Sequence, residues 1–167
     1  FEHPPGSYNM DIVSENIGAA IKYGADNGAV ISQNSWGYAA DTRATGSTRS
    51  SYIDPAHKEA IDYFVKYAGC DNNGNQLPNS PMKGGIVLFA SGNSKSSSPR
   101  VAAPADYEKV LGVAAIGPDY KKPAYSNYGD YTDISAPGGG SSGFQRIFST
   151  TIAELGYYEF RYGTSMS

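Results

Sequence analysis

Two polar side chains in this chain of 167 residues have chemistry suited to acyl transfer. Ser165 lies in Gly163-Thr164-Ser165-Met166-Ser167, and a serine hydroxyl that follows a flexible turn can attack a carbonyl carbon. Asn93 follows an apolar run and Ser91-Gly92, and its neutral amide can donate a hydrogen bond to a developing oxyanion without titrating. Each short segment alone is also compatible with an ordinary turn, so the order of such segments along the chain carries more weight.

Four segments occur in an order that resembles the subtilisin-like serine peptidases, or subtilases. In chain order they are Gln33-Asn34-Ser35-Trp36-Gly37, Phe89-Ala90-Ser91-Gly92-Asn93, Ile134-Ser135-Ala136-Pro137-Gly138 and Gly163-Thr164-Ser165-Met166-Ser167. The resemblance runs from about Ile12 to Ser167, which is nearly the whole chain. It implies an α/β fold of three layers, with a mainly parallel sheet flanked by helices. It also implies a serine endopeptidase that hydrolyses peptide bonds through an acyl-enzyme.

The resemblance implies roles for individual residues. Ser165 would be the nucleophile and Asn93 the oxyanion donor. The backbone of Ser35, Trp36 and Gly37 would bind an extended peptide as an added strand. Trp36 would also pack in the core or line a subsite, and Gly37 would leave room for the peptide.

The resemblance also places the pocket for the residue before the scissile bond. The residues on its opposite wall and at its far end would be Ala90, Ser91, Gly92 and Ala102. Because these residues are small and uncharged, we expect a roomy, neutral pocket that favours large apolar or aromatic side chains. The family carries a cis peptide at the position that matches Ala103-Pro104, so we predict a cis bond there.

A general base for the serine is not evident. In the subtilase order an Asp comes first, a His in a His-Gly-Thr-His type motif follows, and the Ser comes last. His3 lies in Glu-His-Pro-Pro and His57 begins a predicted helix, so we expect both to be surface histidines, and Asp11 lacks a following Gly. Residues 1–167 are therefore predicted to be part of a peptidase domain that lacks the N-terminal part carrying the Asp and His. We expect this chain alone to be inactive.

The helix that follows the serine in the family is also missing from these 167 residues. We therefore predict that Gly163–Ser167 cannot form its last turn and is mobile or displaced, and that Ser165 is not poised against Asn93. The strand Ala29–Ser35 would lose its neighbour and become an exposed apolar edge. We expect the isolated chain to self-associate through that edge.

Composition restricts the partners. Lys and Arg number 13 against 16 Asp and Glu, and the net charge of -3 argues against nucleic acid or an anionic membrane. The abundance of Gly, Ser, Asn and Tyr is typical of a loop-rich secreted enzyme, and the family resemblance implies a secreted or cell-envelope location.

Cys70 is the single cysteine and cannot form an internal disulfide. No cofactor is expected. Asp71–Asn75 lacks the closing acidic ligand of a calcium loop, so a structural calcium of the parent protein cannot be assigned here.

Hydrophobic periodicity predicts alternating helices and strands. Helices are predicted from a cap at Ser14 or Asn16 to Asn27-Gly28, and over Pro55–Tyr67. The predicted strands are Ala29–Ser35, Gly85–Ala90, Val110–Ile116, Thr132–Ser135 and a hairpin over Ile147–Thr151 and Tyr157–Tyr162.

Two other classes of protein share some of these features. A peptide-binding module that kept the subtilase cleft without its chemistry is the alternative, although the presence of both Ser165 and Asn93 favours the enzyme. A generic α/β-hydrolase is rejected because its nucleophile lies in Gly-x-Ser-x-Gly, whereas Met166-Ser167 follows the serine here.

Overall fold

The computed structural model describes residues 10–38, 53–95, 97, 103–140 and 145–167. The predictions for the segment before Met10, for most of the loop after Gly37 and for Ala102 lie outside these residues. The chain folds as two compact units, one with residues 1–32 and 54–86 and the other with residues 33–53 and 87–167.

The first unit contains two helices, α1 over Met10–Asp26 and α2 over Pro55–Tyr67, which pack against each other. The two helices approach closely at Gly18, where a Cβ would lie only 3.0 Å from the Ala56 carbonyl oxygen. Helix α1 ends as predicted at Asn27-Gly28, where Gly28 has φ +91°. Its predicted start was wrong, since the helix begins at Met10. No Pro or Gly separates Asn9 from Ile17, so nothing local stops the helix from extending past the expected caps.

Helix α2 has the predicted bounds. The Asp54 carboxylate accepts a hydrogen bond from the Ala56 N–H at 2.9 Å, and Pro55 takes the first helical position. The expectation of a surface His57 was wrong, because His57 is only 3% exposed. Its position explains the burial: at i, i+3, i+4 and i+7 it shares one helix face with Ala60, Ile61 and Phe64, which are also buried.

Four strands form one sheet. Its strands are β1 Ile31–Asn34, β2 Ile86–Ala90, β3 Leu111–Ile116 and β4 Ile134–Pro137, in the order β1-β2-β3-β4. Strand β3 pairs in parallel with both β2 and β4, with Ala90 opposite Val113 and Ala115 opposite Ala136. Val87 and Phe89 of β2 are buried, as expected for an apolar run inside a parallel sheet. The α/β class predicted from the sequence is therefore confirmed.

Strand β4 lies two residues later than predicted. The Thr132 hydroxyl and N–H both donate to the Gly129 carbonyl, at 2.6 and 3.1 Å, and this turn delays the strand. The predicted hairpin is confirmed. Strands β5 Ile147–Thr150 and β6 Tyr158–Arg161 pair antiparallel, with Phe148 opposite Phe160, and β6 leads directly to Gly163.

Candidate active site

The candidate site is built in the second unit, where the chain leaves three strands of the sheet. Ser35 follows β1, Ser91-Gly92-Asn93 follows β2, and Gly138 follows β4. Carboxyl ends of strands are where open α/β sheets place their ligands. The turn that carries Ser165 joins these strand ends through the hydrogen bonds described below.

Ser165 lies in a 3₁₀ helix, Thr164–Met166. The N–H of Met166 donates to Gly163 O at 3.1 Å, and the N–H of Ser167 donates to Thr164 O at 3.4 Å. The prediction that this last turn cannot form was therefore wrong. The turn is held by bonds from other segments, such as Gly163 N–H to Gly138 O at 3.0 Å, which replace those of a longer helix.

Ser165 and Ser35 exchange two hydrogen bonds. The Ser165 hydroxyl donates to Ser35 O at 3.2 Å, and the Ser35 hydroxyl donates to Ser165 O at 2.8 Å. The predicted nucleophile thus lies directly against the backbone predicted to bind a peptide. Ser35 is exposed and Ser165 is half-buried, so this pair lies at the surface of the unit.

Asn93 binds the residue next to Ser165. Its Oδ1 accepts from the Thr164 N–H at 2.9 Å and from the Thr164 hydroxyl at 3.1 Å. That hydroxyl in turn accepts from the Gly92 N–H at 3.1 Å. Because the oxygen end of the amide faces Thr164, the Nδ2 end is turned away from it and can donate elsewhere. Nδ2 lies 3.3 Å from the position that a Cβ on Gly163 would take. The structure therefore places the amide donor beside the serine turn.

Asn127 holds the loop that carries Asn93. Its side chain is fully buried, and its Nδ2 donates to Ser91 O at 2.9 Å while its Oδ1 accepts from the Ser94 N–H at 2.8 Å. Its own N–H donates to Gly92 O at 2.9 Å. The loop is therefore fixed on both sides of Asn93. Neither Thr164 nor Asn127 was identified from the sequence. Thr164 adjoins the serine, but Asn127 gives no local signal.

Replacing Asn127 with Ala should lower the free energy of unfolding by about 2–3 kcal/mol, because the buried Ser91 carbonyl and the Ser94 N–H both lose their partner. Urea denaturation of the full-length protein, followed by circular dichroism, measures the change. Asn75→Ala is the matched control, since Asn75 is exposed and its side-chain amide donates to Asp71 in its own turn, at 3.2 Å. It should change the free energy by no more than about 0.5 kcal/mol. Equal losses in the two variants would contradict a special role for Asn127.

The other predicted peptide-binding residues occupy different environments. The Trp36 ring packs edge-on against the buried Phe89 with centroids 4.9 Å apart, and its Nε1 donates to Asn34 Oδ1 at 3.2 Å. The backbone after it is tied down by the Tyr38 N–H, which donates to Ala103 O at 2.9 Å, and a Cβ on Gly37 would lie 3.3 Å from the same oxygen. The Ala103-Pro104 peptide is cis, as predicted.

The predicted pocket wall is only partly exposed. Ala90 and Gly92 are half-buried, whereas Ser91 is fully buried and its N–H donates to Val113 O at 2.9 Å. A cavity of roughly 150 Å³ lies between the serine turn and the sheet, and Ser35 and Ala90 both line it. Most of its remaining lining is apolar, from Leu88, Phe89, Val113, Ile134 and Ala136.

In the part of the chain that the structure describes, no group of three His, Cys, Asp or Glu side chains is placed to hold an ion. Asp71 uses its carboxylate inside its own turn, accepting from the N–H groups of Asn73 and Asn75 at 2.8 and 2.9 Å. These bonds, chiefly those from Asn75, hold the pKa of Asp71 below its usual value. Across the same described ranges, no helix is both long and apolar enough to cross a membrane.

Comparisons with known proteins place these features in a family. The chain is 35% identical over 103 residues to a thermophilic serine proteinase of Bacillus sp. strain AK1, a match covering 59% of this chain and 23% of that protein. It is 32% identical over 93 residues to an extracellular protease of Xanthomonas campestris, covering 56% of this chain and 16% of that protein.

Solved structures show the same fold. The nisin leader peptidase NisP of Lactococcus lactis superposes with a TM-score of 0.63 at 24% identity, over 92% of this chain and 49% of that chain. The matches thus span less than half the length of each of these three proteins. The model of the Subtilase family matches residues 3–167. The chain therefore belongs to the subtilase family of serine proteases.

Proposed function

We propose that the protein containing this chain is a serine endopeptidase that forms an acyl-enzyme, with Ser165 as nucleophile and Asn93 as oxyanion donor. The observation that carries the proposal is the set of direct bonds around one turn: Ser165 bonds Ser35, and Asn93 bonds Thr164. A nucleophile, an amide donor and a peptide-binding backbone are the parts that acyl transfer from a peptide requires.

The mechanism follows from these positions. An extended peptide adds to the backbone of Ser35–Gly37, which brings its carbonyl carbon to Ser165. The Ser165 hydroxyl exchanges its bond to Ser35 O for a base, attacks the carbonyl and transfers its proton to that base. Asn93 Nδ2 and the Ser165 N–H then stabilise the oxyanion. When the tetrahedral intermediate collapses, the C–N bond breaks and the protonated base gives its proton to the leaving amine, which leaves Ser165 as an ester. In a second step, water gives a proton to the base and attacks the ester, which releases the acid and restores the Ser165 hydroxyl.

The base must come from outside the residues assigned here. His57 is enclosed on the apolar face of α2, and His3 lacks the family's histidine motif. This chain alone is therefore proposed to be inactive, and the full-length protein to supply the Asp and His. A polypeptide is the proposed substrate, no cofactor is proposed, and a secreted or cell-envelope location is proposed because a relative is an extracellular protease.

Hydrolysis of internally quenched peptides by the full-length protein tests the proposal. Turnover with cleavage inside the peptide, preferably after large apolar residues, is the expected result. The peptide-binding module makes the opposite prediction, since it would bind the same peptides without turnover. Saturable peptide binding without any cleavage product would overturn the proposal that the protein is an enzyme.

Self-association of the isolated chain is a separate proposal, with a second copy of this chain as the partner. Strand β1 ends the order of the described sheet, and its Ile31 is 61% exposed. No charged residue or proline lies in β1 to discourage pairing with another edge strand.

Replacing Ile31 with Lys should convert dimers or larger species of the isolated chain to monomers, because a lysine on an edge strand opposes strand pairing. Sedimentation velocity of dilute protein measures the distribution. Tyr23→Lys is the matched control, because Tyr23 is 69% exposed but lies on α1, and this variant should keep the parent distribution. A parent chain that is already monomeric and is unaffected by the lysine would contradict the prediction.

A further inference from the structure

Tyr125 is a buried tyrosine to which the mechanism above assigns no role. It is 6% exposed, and its hydroxyl lies 2.8 Å from Gly138 O and 2.7 Å from Gly139 O, so that its one proton is shared between the two carbonyls. Both acceptors lie in the segment that follows β4. A tyrosine phenol is protonated at neutral pH, and burial raises the pKa of Tyr125 further, while a hydrogen bond with the Gly163 backbone opposes that shift.

Gly138 links this phenol to the serine turn. Its carbonyl oxygen also accepts the Gly163 N–H at 3.0 Å, so a single oxygen binds both Tyr125 and the residue two positions before Ser165. The surroundings leave little space for movement. A Cβ on Gly138 would lie 2.6 Å from the Ala115 Cβ and 2.8 Å from Gly163 O. A change in the position of Gly138 must therefore be transmitted to Gly163.

A second contact joins the same two segments. The rings of Tyr125 and Tyr162 lie with centroids 5.1 Å apart, and Tyr162 directly precedes Gly163. The Arg146 guanidinium lies over the Tyr162 ring, 5.2 Å from its centroid. Tyr125 thus contacts the chain before the serine through its ring and, through Gly138, by its hydroxyl.

We propose that Tyr125 is a positioning residue that sets the location of Ser165 through the Gly138 carbonyl. The hydroxyl fixes the direction of that carbonyl, the carbonyl fixes the Gly163 N–H, and the Gly163 backbone sets where the serine begins its 3₁₀ turn. The inference rests on the proposed function only where it concerns catalysis. The mechanical link between Tyr125 and the turn stands on the geometry alone.

Amide hydrogen exchange of full-length Tyr125→Phe tests the mechanical link. This variant removes the hydroxyl and keeps the ring against Tyr162. Exchange in the peptide covering residues 162–167 should become about tenfold faster, because the turn loses part of its anchor. Tyr63→Phe is the matched control, since it removes a hydroxyl that donates to Asp26 at 2.7 Å in the first unit. Unchanged exchange at residues 162–167 in Tyr125→Phe would overturn the proposal.

Kinetics test the catalytic part. At a temperature where circular dichroism shows both variants folded, Tyr125→Phe should lower kcat about tenfold with KM unchanged, because misplacing the nucleophile affects the chemical step. Tyr63→Phe should keep both constants. A merely structural Tyr125 would lower the melting temperature without this split, and that outcome would overturn the assignment. If Ser165→Ala retained full activity, the proposed function would fail while the exchange result still decided the mechanical link.

Discussion

Replacement of Ser165 with Ala in the full-length protein is expected to abolish peptide hydrolysis. The loss in kcat should be about 10⁶-fold, the size of the effect for which subtilisin is the measured case. Alanine keeps the backbone of the Thr164–Met166 turn and its bonds to Gly163 O and Thr164 O, so the variant should remain folded. The measurement is initial rates with an internally quenched peptide, with circular dichroism as the check on folding.

A fluorophosphonate probe gives this prediction a second readout, because it reacts with a serine that a base has activated. The full-length protein should be labelled at Ser165, whereas Ser165→Ala and the isolated 167-residue chain should not. Ser97→Ala is the matched control, since Ser97 is exposed, and it should be labelled and active like the parent. Rapid, stoichiometric labelling of the isolated chain would show that a base is present within these 167 residues.

Local sequence signals predicted the elements well where they did not depend on distant partners. Helix α2 has its predicted bounds because Asp54 and Pro55 act within the first turn. Strand β2 was placed to within one residue by an apolar run. The start of α1 was missed because Ser14 and Asn16 are good caps in isolation, yet nothing forces a helix to begin at one.

Burial of a polar residue was harder to predict. A histidine in the first turn of a helix is often exposed, and this predicts a surface His57, but its spacing to Ile61 and Phe64 puts it on the buried face. The predicted apolar face of α2 did not include His57. A residue's place in the helical period therefore decided its environment more than its type did.

The connections within the candidate site could not be read from the sequence. The bonds from Asn93 to Thr164 and from Asn127 to Ser91 join residues 71 and 36 positions apart. No local pattern marks such pairs, because they depend on the order of the strands. The same reason explains the error about the last turn. A helix of so few residues is not expected to form by itself, but hydrogen bonds to Gly138 and Asn93, in other parts of the unit, hold the turn that carries Ser165.

Asn93→Ala in the full-length protein should lower kcat by about 10²–10³-fold with KM little changed, a magnitude for which subtilisin is again the measured case. The physical reason is that the amide donor acts only when charge develops on the substrate oxygen. Steady-state kinetics with a peptide substrate measure the split. Asn73→Ala, an exposed asparagine in the Asp71 turn, should leave both constants unchanged.

Asn93→Asp distinguishes the donor from a structural role, because the two side chains have nearly the same shape. Asp keeps an oxygen to accept from the Thr164 N–H and hydroxyl, now 2.9 and 3.1 Å from Oδ1. It replaces the Nδ2 donor with a negatively charged oxygen beside the developing oxyanion. If Asn93 served only to hold Thr164, Asp would preserve activity. If Asn93 stabilises the oxyanion, Asp must lose at least as much kcat as Ala, since repulsion is added to the missing hydrogen bond. We expect the second result, and activity of Asn93→Asp near that of the parent would remove Asn93 from the chemical step.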